Sequence, residues 1–438
     1  MNEDLATLLV YASPLAIILA VYLYGHRRKD KKSYLIKQQA IKDGLNEPAS
    51  LHPIVNEARC IGCGSCISAC PEKDVLGLIG NKANLISPSE CIGHGACKAA
   101  CPTDAIRLVF GTKNRGIDLP KLKPNFETNI PGIFIAGELG GMGLIKNAIS
   151  QGTQAMESIH KIIKSQRPSG DVLDVLIVGA GPAGFAATLY AIDKKFRYVT
   201  LEQDSLGGTI AHFPRGKLVM TAPADLPLHG KMRFKETTKE VLMSFWKEVA
   251  QRFRVKINYK EAVTSIDRRS QYFTVNSTKR QYKAKTILLA IGRRGTPRKL
   301  DIPGEDRPKV VYRLKDPDEY KRKRVMIVGG GDSALEAAIS IAALGNAKPT
   351  LVYRNAAFNR AKKKNRDKVR EAAKAGKLRV LMSSQPKSIG DNYADLKMKD
   401  GSTKRIKNDA VIICAGGVLP TGFLQSIGIK ITTKYGTE

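Results

Sequence analysis

The chain has 438 residues, 43% hydrophobic and 26% charged; this is ordinary for folded protein, and the length suggests two to four domains. The net charge of +32 is unusual and uneven: residues 1–165 carry 19 Lys+Arg against 14 Asp+Glu, leaving 53 against 26 for residues 166–438. Such charge suits an acidic carrier protein or anionic lipid, or serves solubility, and no nucleic-acid-binding motif accompanies it, so no nucleic-acid partner is expected.

The first predicted element is a helix. Residues 5–24, LATLLVYASPLAIILAVYLY, contain no charge. Twenty helical residues span about 30 Å, the thickness of a bilayer core. MNED precedes and HRRKDKK follows, so the positive-inside rule expects a single-pass anchor in the inner membrane with the bulk of the chain on the cytoplasmic side. A cleaved signal peptide would want a basic start and a small-residue cleavage site, and VYLYG is a poor one. Pro14 is tolerated within membrane helices. Residues 1–30 form the anchor with its basic flank, and residues 31–50 a linker.

Seven of the eight cysteines fall within residues 60–101, clustered for ligation and not spread as a disulfide frame. CIGCGSCISACP (60–71) and CIGHGACKAACP (91–102) are two copies of one pattern. Cys60, Cys63, Cys66 and Cys70 have the C-x2-C-x2-C-x3-C-P spacing of two-cluster bacterial ferredoxins, whose fourth cysteine ligates the other cluster. Crossing assigns Cys60, Cys63, Cys66 and Cys101 to one [4Fe–4S] cluster, and Cys91, Cys97 and Cys70 to the other. Zinc knuckles lack this crossed pattern. His94 stands where the second copy should have cysteine. It is either a ligand, or the corner is vacant and the cluster has three irons, or the second site holds no cluster. Residues 51–111 make this ferredoxin domain.

Next comes an apolar strand, a glycine turn and a small-residue helix at 172–191. Gly179, Gly181 and Gly184 form G-x-G-x-x-G, which brings backbone N–H groups and a helix N-terminus onto a pyrophosphate. Glu202 ends the following strand, where a carboxylate can hold ribose hydroxyls. A second such unit spans 323–345, with Gly329, Gly331 and Ala334 as G-x-G-x-x-A. Its next strand leads to Arg354, with Arg360 six residues on. Arginine there suits the 2′-phosphate of NADP, although AKKKNRDK beside it also reads as a solvated basic run.

These units, with FPRGKLVMT (213–221), TILLAIG (286–292), GGGDSALEAA (329–338) and DAVIICAGG (409–417), resemble the thioredoxin reductase-like branch of pyridine nucleotide-dependent flavoproteins over residues 172–438. The resemblance implies FAD, NADPH or NADH, and a homodimer. ETNIPGIFIAGELGG (127–141) is similar to the family's closing FAD signature, with Gly137 and Glu138 at its end, yet it precedes the first glycine turn. The chain is therefore expected to be circularly permuted. The FAD-binding domain would span 112–297 with 418–438, the NAD(P)H-binding domain 298–417, and SQRPSG (165–170) would close the join. The helix after the signature would point its N-terminus at the flavin. Thioredoxin reductases carry a C-x-x-C ahead of the nicotinamide glycine motif, but YRLKDPDEYKRKR here has no cysteine. Ala183 stands inside the first glycine turn, and Cys414 reads as a buried strand residue.

The expected fold is multidomain α/β: two Rossmann-like domains, a small α+β ferredoxin-like domain and one transmembrane helix. The expected function is an NAD(P)H-dependent FAD and iron–sulfur oxidoreductase that exchanges electrons with an acidic carrier protein or a quinone. A disulfide or low-molecular-weight thiol reductase lacks its thiols, and a redox sensor lacks a visible output domain. No side chain need act as nucleophile or base.

Overall fold

The computed structural model describes residues 3–48, 51–164, 170–220, 222–234, 236–293, 295–359 and 361–436. Arg360 and residues 165–169 of the expected linker lie outside them. The chain forms two compact units: residues 1–115 with 435–438, and residues 116–434.

In the first unit, helix α1 (Glu3–Lys42) is continuous through Pro14. Its side chains are described from Tyr11 onward. Tyr11, Leu15, Ile17, Ile18, Val21 and Tyr22 are each more than 60% exposed. Among the described residues, no helix is long and apolar enough to cross a membrane. Strand β1 (His52–Val55) pairs antiparallel with β4 (Ile106–Val109). Between them run helix α2 (Ser65–Ala69), the hairpin of β2 (Leu76–Ile79) and β3 (Lys82–Leu85), and helix α3 (Ala96–Ala99).

Two large sheets organise the second unit, beside smaller two- and three-stranded ones. The larger begins with β6 (Ile133–Ile135), β7 (Leu173–Val178) and β8 (Tyr198–Glu202), once β5 (Ile117–Pro120) has paired with strand Ile431–Lys434. Both β6 and β7 run parallel to strand Gln281–Leu289, and β8 flanks β7. Helix α4 (Ile145–Lys164) lies against α5 (Pro182–Asp193). A Cβ on Gly152 would stand 2.2 Å from the Ala183 carbonyl oxygen, so glycine is what allows the two helices to approach so closely. Apolar continuity explains these strands: Ile133, Ile135, Leu176, Ile287 and Leu289 are all buried in one cluster, which also takes Leu424 and Ile429 from near the C-terminus. The segment written before the glycine turn and the segment written last therefore both complete the first nucleotide-binding fold. Tyr435 and Gly436 belong to the other unit.

The second sheet is parallel and five-stranded, built on Arg324–Val328, Lys348–Val352, Arg379–Leu381, Ala410–Ile413 and Val310–Val311. The helix Asp332–Ala342 packs on it with buried Ala334, Leu335, Ala338 and Ile341.

Candidate functional site

In the first unit, six cysteines share one apolar cluster: Cys60, Cys66 and Cys97 buried, with Cys70, Cys91 and Cys101 packed against them. The two loops are conformational copies. Gly62 and Gly64 have φ of 71° and 75°; Gly93 and Gly95 have 76° and 78°. A Cβ on Gly62 would meet the Asn81 carbonyl oxygen at 2.2 Å, and one on Gly93 the Leu51 oxygen at 2.7 Å. Only glycine combines the left-handed backbone with that clearance.

The thiols influence one another both within each crossed set and between the two sets. Burial pushes Cys66 up to about 11, helped by Cys60, Cys97 and Cys63. Burial likewise pushes Cys97 up to about 11, with Cys91 and Cys70 adding to it. The Ser65 hydroxyl lowers Cys63, while Cys101 opposes it. Buried thiols held this high need a cation to become thiolates, and cluster iron would supply one. Ala83 N–H donates to Cys60 Sγ at 3.4 Å and Ala105 N–H to Cys101 Sγ at 3.2 Å. Among the described residues, no three His, Cys, Asp or Glu side chains converge on a single-ion site; the arrangement expected for a cubane is a wider cage.

His94 Nε2 is buried and has no hydrogen-bond partner among the described residues. Burial lowers its pKa, against the pull of Glu72, so the ring is held neutral and free to ligate. An orphaned ring nitrogen in the loop position of a ligand fits an iron–sulfur corner, because an unsatisfied buried polar atom is otherwise costly.

In the second unit, a cavity of about 1080 Å³ is lined by Gly137, Glu138, Gly179, Gly181 and Glu202, five of the residues expected to hold FAD. Gly184 lies behind it: its Cβ would stand 1.8 Å from the Gly179 oxygen, so it packs helix on turn and does not face the cavity. Glu202 accepts from Ala180 N–H at 2.7 Å and Asp204 N–H at 2.8 Å, while burial pushes its carboxyl up. Gln151 Oε1 accepts from Gly137 N–H at 2.9 Å, tying α4 to the signature turn. Ile145, first residue of α4, lines the cavity, so the positive end of this helix is aimed into it. These features fit a dinucleotide.

Asp204, His212, Lys217 and Arg313 are among the polar lining residues that were not foreseen as site residues. His212 Nε2 lies 2.8 Å from Asp204 Oδ2. Lys260 beside Asp204 holds that carboxyl below the usual range, and burial, then Arg313, pushes His212 down. His212 and Lys217 flank FPRG, so the motif marked the segment but not its polar neighbours. Lys217 Nζ also bridges to Glu336 at 2.6 Å, and Arg215 to Asp316 at 3.1 Å and Asp318 at 3.2 Å, linking the two nucleotide-binding halves.

At the second glycine turn, Gly329 has φ 140°, and its Cβ would stand 2.4 Å from the Cys414 oxygen. Gly331 caps the helix and Ala334 is buried under it. Arg354 is exposed, two residues past the strand Lys348–Val352. Asp332 Oδ1 accepts from Lys362 N–H at 2.9 Å and Asn365 Nδ2 at 2.8 Å, drawing the basic run toward this turn. Cys414 is only partly buried, and its backbone faces the turn.

Residues 176–437 match the family model for pyridine nucleotide-disulphide oxidoreductase. The chain belongs to this family. It is an NAD(P)H-dependent flavin oxidoreductase. Residues 52–102 match the 4Fe-4S dicluster domain, so the chain joins flavin and iron–sulfur chemistry. It is 28% identical over 268 residues to ferredoxin–NADP reductase of Ignicoccus hospitalis, covering 60% of this chain and 83% of that one. It is 25% identical over 266 residues to bacilliredoxin reductase Bdr of Bacillus subtilis, covering 60% and 82%. The bacillithiol disulfide reductase Bdr of Staphylococcus aureus superposes with a TM-score of 0.52 at 23% identity, covering 59% of this chain and 80% of that one; this likeness concerns the fold.

Proposed function

We propose that the protein carries electrons from NADPH through FAD to two iron–sulfur clusters and on to a redox partner at a membrane. FAD bound here would supply the chemistry of hydride acceptance from a nicotinamide and one-electron release suited to iron–sulfur clusters. The observation that carries this reading is the pairing, in one chain, of a glycine-lined cavity with a duplicated cysteine cage, while no cysteine among the described residues lines the cavity. Thiol chemistry would need a sulfur there.

The chain's residues would divide the work. Gly179, Gly181 and the N-terminus of α5 would hold the pyrophosphate, Glu202 the ribose, and Glu138 the ribityl chain. The positive end of α4 would favour an electron-rich flavin ring. Gly329, Gly331 and Ala334 would seat NADPH, with Arg354 on its 2′-phosphate. Cys60, Cys63, Cys66 and Cys101 would hold one cluster, and Cys70, Cys91, Cys97 and His94 the other. We read the early position of β6 and α4 as a circular permutation of the family, supported by their pairing with strand Gln281–Leu289 and α5.

We also read α1 as a membrane anchor with the remainder cytoplasmic. Its support is the uncharged run at 5–24, the all-round exposure of residues 11–24, and the basic collar at 27–32. The experiment for the electron path is anaerobic NADPH titration of purified protein, following flavin absorbance and cluster EPR together. Flavin bleaching with no cluster reduction at any NADPH excess would overturn it.

A further inference from the structure

We propose that the loop carrying Cys60, Cys63 and Cys66 rests on the lipid surface, with Ile61 in contact with the bilayer, so that the first cluster site faces the membrane. The proposal rests on the reading of α1 as an anchor and adds an orientation to it.

The argument begins with how α1 is clamped. After its bare apolar stretch, the helix lies along the β2–β3 hairpin. His26 Nε2 meets Asn81 Oδ1, and Asp30 Oδ1 accepts from Gly80 N–H at 3.1 Å, both at the hairpin tip. Farther along, Ser33 is buried against Gly77, where a Cβ would stand 2.5 Å from Ser33 Oγ. Lys37 Nζ then donates to Asn84 Oδ1 at 2.9 Å. The contacts move from the tip of the hairpin toward its base as the helix runs on, so the apolar end projects beyond the tip. From residue 26 to residue 42 the helix extends about 24 Å.

Only one of the two cluster loops meets this tip in the contacts described. The position of a Cβ on Gly62 is 2.2 Å from the Asn81 oxygen, the residue that His26 also meets. The position of a Cβ on Gly93 is instead 2.7 Å from the oxygen of buried Leu51. The helix therefore carries the first loop beside the end from which its apolar stretch projects.

The repeat itself provides the comparison. Ile61 and Ile92 hold the same place in the two copies, yet Ile61 is 67% exposed while Ile92 is half-buried. Cys63 is exposed as well. An isoleucine so bare beside a buried, ligand-bearing loop has a use at a lipid interface, next to a helix end of the same character. The basic residues Arg27, Arg28, Lys29, Lys31 and Lys32 lie at the same level, where headgroup phosphates would meet them.

The test uses the full-length holoprotein in vesicles of phosphatidylcholine and phosphatidylglycerol. Ile61 or Ile92 is replaced by the photoreactive residue p-benzoylphenylalanine, and lipid adducts are read by mass spectrometry. Iron content and cluster EPR confirm that each variant is loaded. Several-fold more lipid adduct at 61 than at 92 is expected. Equal labelling, or more at 92, in protein that floats with the vesicles overturns the orientation and leaves the anchor standing. Protein that fails to float overturns the anchor and this proposal with it.

Discussion

His94 occupies a place where the sister loop has Cys63, and its Nε2 is buried without a partner among the described residues. A neutral imidazole leaves a cluster less negative than a thiolate would, and so easier to reduce. His94→Cys should therefore lower the potential of one cluster and leave the other nearly unchanged in an EPR-monitored redox titration. His94→Ala should give a three-iron signal or lose one cluster's iron. A full three-iron signal in wild-type protein purified without oxygen would show the corner to be vacant. Arg354 raises a different question, that of coenzyme choice. It is exposed two residues past its strand, where its guanidinium can fork onto a phosphate. A charge-assisted bond is worth roughly 1.5–3 kcal/mol, so Arg354→Ala should raise KM for NADPH by roughly ten- to a hundredfold and barely affect NADH. Equal loss for both coenzymes would remove Arg354 from the phosphate site.

Among the elements, α4 reaches the candidate flavin cavity with its first residue. It is anchored by its contact with α5 and through Gln151 to the turn at Gly137. Gly152→Ala places a methyl where the Ala183 backbone oxygen already stands, and neither backbone can yield cheaply. Overpacking of this kind costs about 1–3 kcal/mol. Because the first residue of α4 lines the cavity, the variant should melt at a lower temperature and lose flavin on gel filtration. An unchanged melting temperature with full flavin content would show that α4 adjusts without cost.

For the whole molecule, topology is the open variable. A reporter that works only outside the cytoplasm, fused at residue 438, should stay silent, and a cytoplasmic reporter there should be active. The opposite pattern would contradict both the anchor orientation and the iron–sulfur domain, which needs reduced thiols. Within the second unit, the Lys217–Glu336 and Arg215–Asp316 pairs join the two Rossmann-type halves. Each half keeps its own apolar core, so these pairs set orientation and are not the source of the fold.

Local spacing alone determined the cysteine cage, both glycine turns and their following strands, because those motifs act through residues adjacent in the chain. It also carried the family and the displaced FAD signature, although not the proof that β6 pairs with strand Gln281–Leu289. That pairing joins residues some 150 positions apart, and only the folded sheet displays it. The same holds for Asp204, His212 and Arg313: ordinary polar residues in the sequence, they gain meaning from converging on one cavity. His94 shows the division within a single residue. Its place in the motif could be read from the sequence, but whether its ring nitrogen already had a partner depended on packing, and packing left that nitrogen without one among the described residues.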